Sequence, residues 1–243
     1  MGVSTNTMTR LTQSIRLDTR LQTKNQLYSI TIGAAVAVGL VLGYFFSQEA
    51  LKLAIPIFFL FASSGTGYLF VAALILFEKQ ERTLDALIVT PIRPNEYLSA
   101  KIISLSILAL LEIGVILVTS WIIWYGPAGI NWLWLVLGTM LMQIIMTILG
   151  IIVVVRYDRI NDFLMPTLLV AFVTQIPFLA ALNIWEPAFF YLIPTYPAFL
   201  LLLAAFEPIP TWQLAYGLIG SAVWIAIFYK WATRAFERHI IQG

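Results

Sequence analysis

Six long apolar runs, divided by short polar breaks, frame this chain of 243 residues. They fall at 27–46, 53–77, 97–121, 132–155, 163–184 and 212–231. About 20 apolar residues in a helix cross the hydrocarbon of a bilayer, and a helix satisfies its own backbone hydrogen bonds there. The pattern predicts an all-α integral membrane protein with six transmembrane helices. The longest polar break, 78–96, holds Glu78, Lys79, Glu81, Arg82, Asp85, Arg93 and Glu96, more charge than a lipid-facing span tolerates. Within it Leu84, Leu87 and Ile88 keep helical spacing between Arg82 and Val89, and Pro91 and Pro94 are read as the stop. A short amphipathic helix of this kind, set between two spans, is expected to dock on a partner.

Residues 1–26 precede the first run. They are polar and lack the apolar core and cleavage site of a secretory signal, which predicts a retained first span. From Met8 to Gln26 the periodicity predicts a surface helix. Arg16, Arg20 and Lys24 recur every four positions as one basic stripe. Met8, Leu11, Ile15, Leu17 and Leu21 take roughly the other half of the wheel, interrupted by Arg10 and Asp18. A basic stripe beside an apolar one suits an interfacial helix on an anionic leaflet. Gly39 and Gly43 give the first span a small-residue face for close helix contact. The second span carries Ser63, Ser64, Gly65, Thr66 and Gly67 at mid-depth, expected to face protein or a cavity. The third carries Glu112. The fifth is expected to be broken by Pro166 and Pro177, with Thr174 and Gln175 beside the second break.

Segment 185–211 contains an apolar stretch long enough to span, but Pro187, Pro194 and Pro197 cut it into pieces. Charge decides its reading. With six spans and both termini inside, 13 of the 14 Lys and Arg residues lie on the inner side and only Lys52 outside, as the positive-inside rule asks. A seventh span would carry Lys230, Arg234 and Arg238 outside. The segment is therefore read as a broken, re-entrant element on the outer side, tolerable only where protein surrounds it. Trp121, Trp124, Tyr125, Trp132, Trp134, Trp185, Tyr191, Tyr196 and Trp212 are expected at the outer interface. The organisation is then a leader with an interfacial helix (1–26), a six-span domain (27–231), a cytoplasmic segment (78–96), an outer re-entrant segment (185–211) and a polar cytoplasmic tail (232–243).

Composition narrows the chemistry. Apolar residues make up 60% and charged residues 11%, against about 25% charged in soluble domains; mean hydropathy is +0.91. There is no cysteine, hence no disulfide and no thiolate metal site. No G-x-x-x-x-G-K-[ST] loop, H-E-x-x-H, G-x-S-x-G or pair of intramembrane aspartates occurs, and His239 is the only histidine. The chain is expected to be no enzyme, with no catalytic, cofactor-binding or metal-binding residues and no nucleic-acid partner. Glu112 is the one acid deep in a span. It reads as a proton or cation site, or a polar group in a substrate path. The alternative is a neutral carboxyl hydrogen-bonded to a neighbouring helix through Gln143 or Gln175.

The segment Glu78-Lys-Gln-Glu81-Arg82-Thr83-Leu84-Asp85-Ala-Leu87-x-Val89-Thr90-Pro91-x-Arg93-x-x-Glu96-Tyr97-Leu98-x-Ala-Lys101 resembles the region between the second and third spans of ABC-2 type ABC transporter permeases. There an acidic residue, a T-L-[DE]-x-L core, a [ST]-P pair and a lysine opening the next span form the helix that couples to the ATPase. Leu17-Asp18-Thr-Arg20-Leu21-Gln22 is similar to that family's connecting helix. Arg156-Tyr157-x-Arg159-Ile160-Asn161-Asp162-Phe163-Leu164-x-Pro166, Phe190-Tyr191-Leu192-x-Pro194-Thr195-x-Pro197 and Arg234-Ala235-Phe236-Glu237-Arg238-His239 resemble its fluoroquinolone export branch.

The resemblance implies a half-transporter in the cytoplasmic membrane. It would pair with a second copy or a related permease, and with separate ABC ATPase subunits that bind ATP and Mg²⁺. Glu78, Glu81, Arg82, Thr83, Leu84, Asp85, Leu87, Pro91 and Arg93 would couple to the ATPase, and Arg16, Asp18, Arg20 and Lys24 would make the leader-helix contacts. By analogy with the family's second and fifth spans, Phe58, Phe61, Ser64, Thr174, Gln175 and Phe178 would line the path of a small amphipathic, drug-like substrate moving outward. Lipid, polysaccharide, haem or a peptide antibiotic are alternative cargoes. Two other classes stand beside these: a proton-coupled secondary transporter using Glu112, and a membrane scaffold docking a soluble protein through 78–96.

Overall fold

The computed structural model describes residues 7–84, 94–124, 129–185 and 187–241, and among them every regular element is helical. The order is α1 (Thr7–Lys24), α2 (Leu27–Phe45), α3 (Gln48–Ser63), a π-helical turn (Ser64–Leu69), α4 (Phe70–Gln80), α5 (Pro94–Trp124), α6 (Trp132–Val154), α7 (Ile160–Gln175), α8 (Phe178–Ala181), a 3₁₀ turn (Ala188–Leu192), α9 (Tyr196–Ala204), α10 (Thr211–Phe236) and a π-helical turn (Glu237–Ile241). Six stretches are long and apolar enough to span: Leu27–Phe45, Gln48–Gln80, Pro94–Ile123, Trp132–Val154, Asn161–Ala181 and Thr211–Ile240. The predicted all-α, six-span class is the observed one.

Local chemistry sets the helix ends. Ser47 caps α3 by accepting from the Ala50 amide at 3.4 Å, with Glu49 in the first turn. Asn131 caps α6 by accepting from Trp134, each satisfying an otherwise orphaned N–H. The second span runs from Gln48 to Gln80 through the Ser64-Gly65-Thr66-Gly67 run, which is wound as a π turn. That wider turn sets Gly67 and Tyr68 hard against α6. A methyl at Gly67 would sit 2.9 Å from Met146 Cβ, and one at Gly150 would sit 2.7 Å from the Tyr68 carbonyl.

α6 is the buried axis. Apolar nearly all round, it is enclosed by α5, α9, α10, α4 and the π turn, as expected of a helix without a polar face. α2 lies along α5 with Gly39 against Thr119 and Gly43 against Ile123. The small-residue face of the first span is thus used inside the chain. α7 and α10 are peripheral: 28% and 17% of their spanning windows are buried.

The proline-cut segment does fold as a broken element. α9 has nine residues, about 14 Å of helix, too short to cross a bilayer. Its interior position is made possible by glycines: Gly138 faces the Leu202 backbone and Gly217 faces Leu201 and the Pro197 carbonyl. Thr195 Oγ1 donates to the Thr174 carbonyl at 2.6 Å, at the broken end of α7. The Asn131 amide donates to the Ala205 carbonyl at 2.8 Å.

Several expectations are corrected. Pro94 does not stop a helix but opens α5, where a missing N–H costs nothing. α7 continues through Pro166 and breaks only at Pro177. Residues 232–241 are not a polar tail: the helix runs on, and Ala232, Ala235 and Phe236 are buried. Tyr196 is no interface anchor, being 1% exposed beneath Phe190 and Tyr191.

Candidate functional site

α1, α4 and α5 meet at one end of the bundle around Lys101. Tyr97 and Lys101 are four residues apart on α5, hence on one face. The Lys101 side chain is wholly buried. Its Nζ lies 2.7 Å from Glu78 Oε1 on α4 and 3.1 Å from Asp18 Oδ1 on α1. It also sits 4.7 Å from the centroid of the Tyr97 ring. The Tyr97 hydroxyl donates to Glu78 Oε2, and the Tyr97 ring packs on Phe236. One turn from Asp18, Gln22 donates to Ser104 Oγ at 2.8 Å. Burial pushes the Asp18 carboxyl above its ordinary range; Lys101 pulls it back and Glu78 raises it further. The cluster bolts the leader helix and the root of the charged segment to one spanning helix.

Beyond that root, α4 ends at Gln80 and Arg82 turns left-handed at φ 55°. The described part of the predicted amphipathic helix therefore begins at Thr83, not Arg82. Glu81, Arg82 and Thr83 are exposed and Leu84 is buried. Lys79 donates to the carbonyls of Val155 and Tyr157 at 3.0 and 2.8 Å and pairs with Asp158, so the same root also holds the loop after α6. A cavity of about 230 Å³ runs between α1 and this root, lined by Leu17, Asp18, Lys24, Glu78, Glu81 and Leu84 among others. Asp85, Leu87, Pro91 and Arg93 lie outside the described residues.

Arg16, Arg20 and Lys24 form the expected exposed stripe. The opposite face differs from the prediction. Asp18 and Gln22 are the buried positions, whereas Leu17 is 58% exposed. Asp18 and Glu78, expected as outward contacts, are instead turned into the protein. The physical reason is Lys101: a buried ammonium draws carboxylates inward more strongly than the exposure of one leucine costs.

At mid-bundle the fold brings together five of the six predicted path residues. Phe61 meets Phe178 at 5.5 Å between ring centroids, and Gln175 Nε2 donates to Ser64 Oγ. Phe58 and Phe61 are shared walls of two cavities of about 390 and 420 Å³. Phe178 lines the second, but Ser64, Thr174 and Gln175 line neither; the Thr174 hydroxyl donates back to the Val170 carbonyl. Glu112 lines the first cavity near Thr66. Its hydrogen-bond partner is the Thr66 hydroxyl on the neighbouring second span rather than either glutamine; Gln143 accepts from Thr66 and Gln175 donates to Ser64. Lys101, Tyr97 and Gln22 figured only in motifs, and Ser104 and Thr31 were missed. The available signal was spacing: Asp18/Gln22 and Tyr97/Lys101 are both polar pairs four residues apart.

An all-helical, six-span chain whose surface helix and charged inter-span segment are fastened to a spanning helix is a multi-pass membrane protein of the permease class. The chain belongs to the fluoroquinolones export permease protein family, whose family model matches residues 9–243. Fluoroquinolones export permease proteins of two Mycobacterium tuberculosis strains, CDC 1551 / Oshkosh and ATCC 25618 / H37Rv, are each 31% identical over 241 residues, covering 97% of this chain and 98% of theirs. The resemblance read from the sequence is borne out.

Proposed function

We propose that this chain is the transmembrane subunit of an ATP-driven exporter that moves an amphipathic, drug-like molecule outward, of the fluoroquinolone type for which its relatives are named. Two permease chains, identical or related, would pair with two separate ATPase subunits carrying ATP and Mg²⁺, and this chain would hydrolyse nothing. Both termini and the segment 78–96 would lie on the cytoplasmic side of the cell membrane. Exposed Glu81, Arg82 and Thr83, with the outward stripe of Arg16, Arg20 and Lys24, would meet the ATPase. Asp85, Leu87, Pro91 and Arg93 would complete that surface, while buried Leu84, predicted to join it, would instead anchor it to the bundle.

The observation that carries this reading is the Lys101 cluster. A push on the segment's root at Glu78 reaches α5 and α1 through buried charge-assisted hydrogen bonds, which are short and strong, rather than through a soft loop. The test is co-expression with candidate ATPase subunits, purification through a tag on this chain, and assay for mass and vanadate-sensitive ATP hydrolysis. A complex of two permeases and two ATPases with drug-stimulated turnover is expected. A stable chain that captures no ATPase would overturn the reading.

A further inference from the structure

We propose that the cavity between α2, the π turn and α5 is a subsite for the protonated amine of an aromatic, amphipathic substrate, with Glu112 receiving the amine and Phe58 and Phe61 flanking the rings. The proposal rests on the export reading above and specifies its cargo. The cavity, about 390 Å³, is lined by Thr31, Phe58, Phe61, Thr66, Phe70 and Glu112, together with small and aliphatic residues.

Two buried polar atoms on its wall lack partners, although the Glu112 carboxyl also takes a hydrogen bond from the Thr66 hydroxyl. Glu112 is 4% exposed and its Oε2 accepts no hydrogen bond; Thr31 is 2% exposed and its Oγ1 makes none. Buried polar atoms are nearly always paired, so two orphans from different helices on one cavity mark a place for a ligand donor. Among the described residues, no lysine, arginine or histidine lines the cavity. The counter-charge for this carboxyl must therefore arrive with the ligand. A carboxylate accepts only, which favours an ammonium and disfavours an anion, and aromatic faces around it add attraction for a cation.

The cavity owes its space to the π turn. A methyl at Gly65 would meet nothing within 4 Å, and Ala34 and Ala35 keep the facing wall of α2 low. Phe58 and Phe61 divide it from the second cavity of about 420 Å³, otherwise lined by Leu53, Ile57, Phe178, Leu182 and other apolar groups. Each chamber falls in the usual range of about 300–1,000 Å³ for small-molecule sites. One takes a charged head and the other a ring system. Ile30, Phe58 and Phe61 are exposed at the rim, so a molecule dissolved in the acyl chains reaches the chambers sideways.

The experiment uses the complete chain in lipid nanodiscs, without ATPase. Binding of a piperazinyl fluoroquinolone and of its N-acetylpiperazinyl counterpart, which lacks the protonated amine, is followed by the drug's fluorescence anisotropy. Glu112→Gln is expected to weaken the amine probe about tenfold or more, as loss of a buried charge partner does, and to leave the acetylated probe unchanged. Thr31→Val is expected to weaken the amine probe about threefold, the scale of one hydrogen bond. Phe58→Ala is expected to weaken both probes.

Equal affinity of the wild-type chain for the two probes, or an equal effect of Glu112→Gln on both, overturns the proposal. If Glu112→Gln does not yield folded protein, Thr31→Val decides by the same criterion: selective loss supports the subsite and no selectivity overturns it. Absence of binding of either probe to the wild-type chain also overturns the subsite. In that case drug-stimulated ATP hydrolysis by the assembled complex would leave the export reading standing, so the two failures are separable.

Discussion

Lys101 sits wholly buried between two carboxylates, one from α1 and one from α4. Removing its ammonium strands both acids, and breaking a buried pair from one side costs about 3–5 kcal/mol. Lys101→Met is therefore expected to lower the melting temperature in detergent sharply. Asp18→Asn should cost much less, because an amide oxygen still accepts from Lys101 and Glu78 stays at 2.7 Å. Equal losses from the two variants would contradict the cluster as described. Asp18 also makes a pH prediction. Its folded carboxyl holds a proton more tightly than the unfolded one, with burial as the leading cause. That contribution to stability is present below its ordinary 3.8 and is lost as pH rises through the raised folded value. The melting temperature of wild type relative to Asp18→Asn should fall as pH is raised across that window. A gap independent of pH would speak against it.

Packing of α9 between α6 and α10 is decided by glycines rather than by hydrophobicity. A methyl added at Gly138 would stand 2.8 Å from the Leu202 backbone nitrogen, which cannot move without α9. Gly138→Ala is expected to destabilise by about 1–3 kcal/mol, the usual cost of overpacking. Gly114 on α5 has open space where its side chain would go. Gly114→Ala should leave the melting temperature unchanged or raise it, since alanine in a helix interior is favoured by about 0.5–1 kcal/mol. Thermal unfolding of the two variants side by side checks the pair, and similar shifts would show that α9 is not held this way. The existence of each long helix was legible from apolar run length. The ends of the first and fourth spans were legible too, at Leu27–Phe45 and Trp132–Val154; the start of α5 and the course of α7 were not, because Pro94 and Pro166 act by position within a turn, which composition does not reveal.

The whole molecule presents two kinds of surface. Leu164, Met165, Leu168, Leu169 and Phe172 on α7 are exposed, as a lipid-facing span requires. At the other extreme, Arg82 stands exposed in a left-handed turn next to the buried cluster. With the proposed ATPase bound, Arg82→Glu should leave folding and complex mass intact while drug-stimulated ATP turnover falls about tenfold, within the ordinary range of coupling energies. Undiminished stimulation in a complex of correct mass would remove Arg82 from the coupling surface. The charged segment itself was readable because seven charges between two apolar runs have no place in lipid. Which of its acids face inward was not.

By itself the sequence determined the helical membrane class, the number of spans and the broken nature of 185–211, because each follows from one-dimensional quantities: run length, proline placement and the distribution of basic residues between the runs. It also carried the family, through motifs spread along nearly the whole chain. Only the tertiary structure decided that Asp18, Glu78 and Lys101, separated by 60 and 23 positions, share one buried site, and that Glu112 Oε2 and Thr31 Oγ1 face one cavity with no partner. Neither follows from spacing along a helix. Each depends on which faces of α1, α2, α4 and α5 are turned together, and that is set by glycine contacts and by the cost of burying charge.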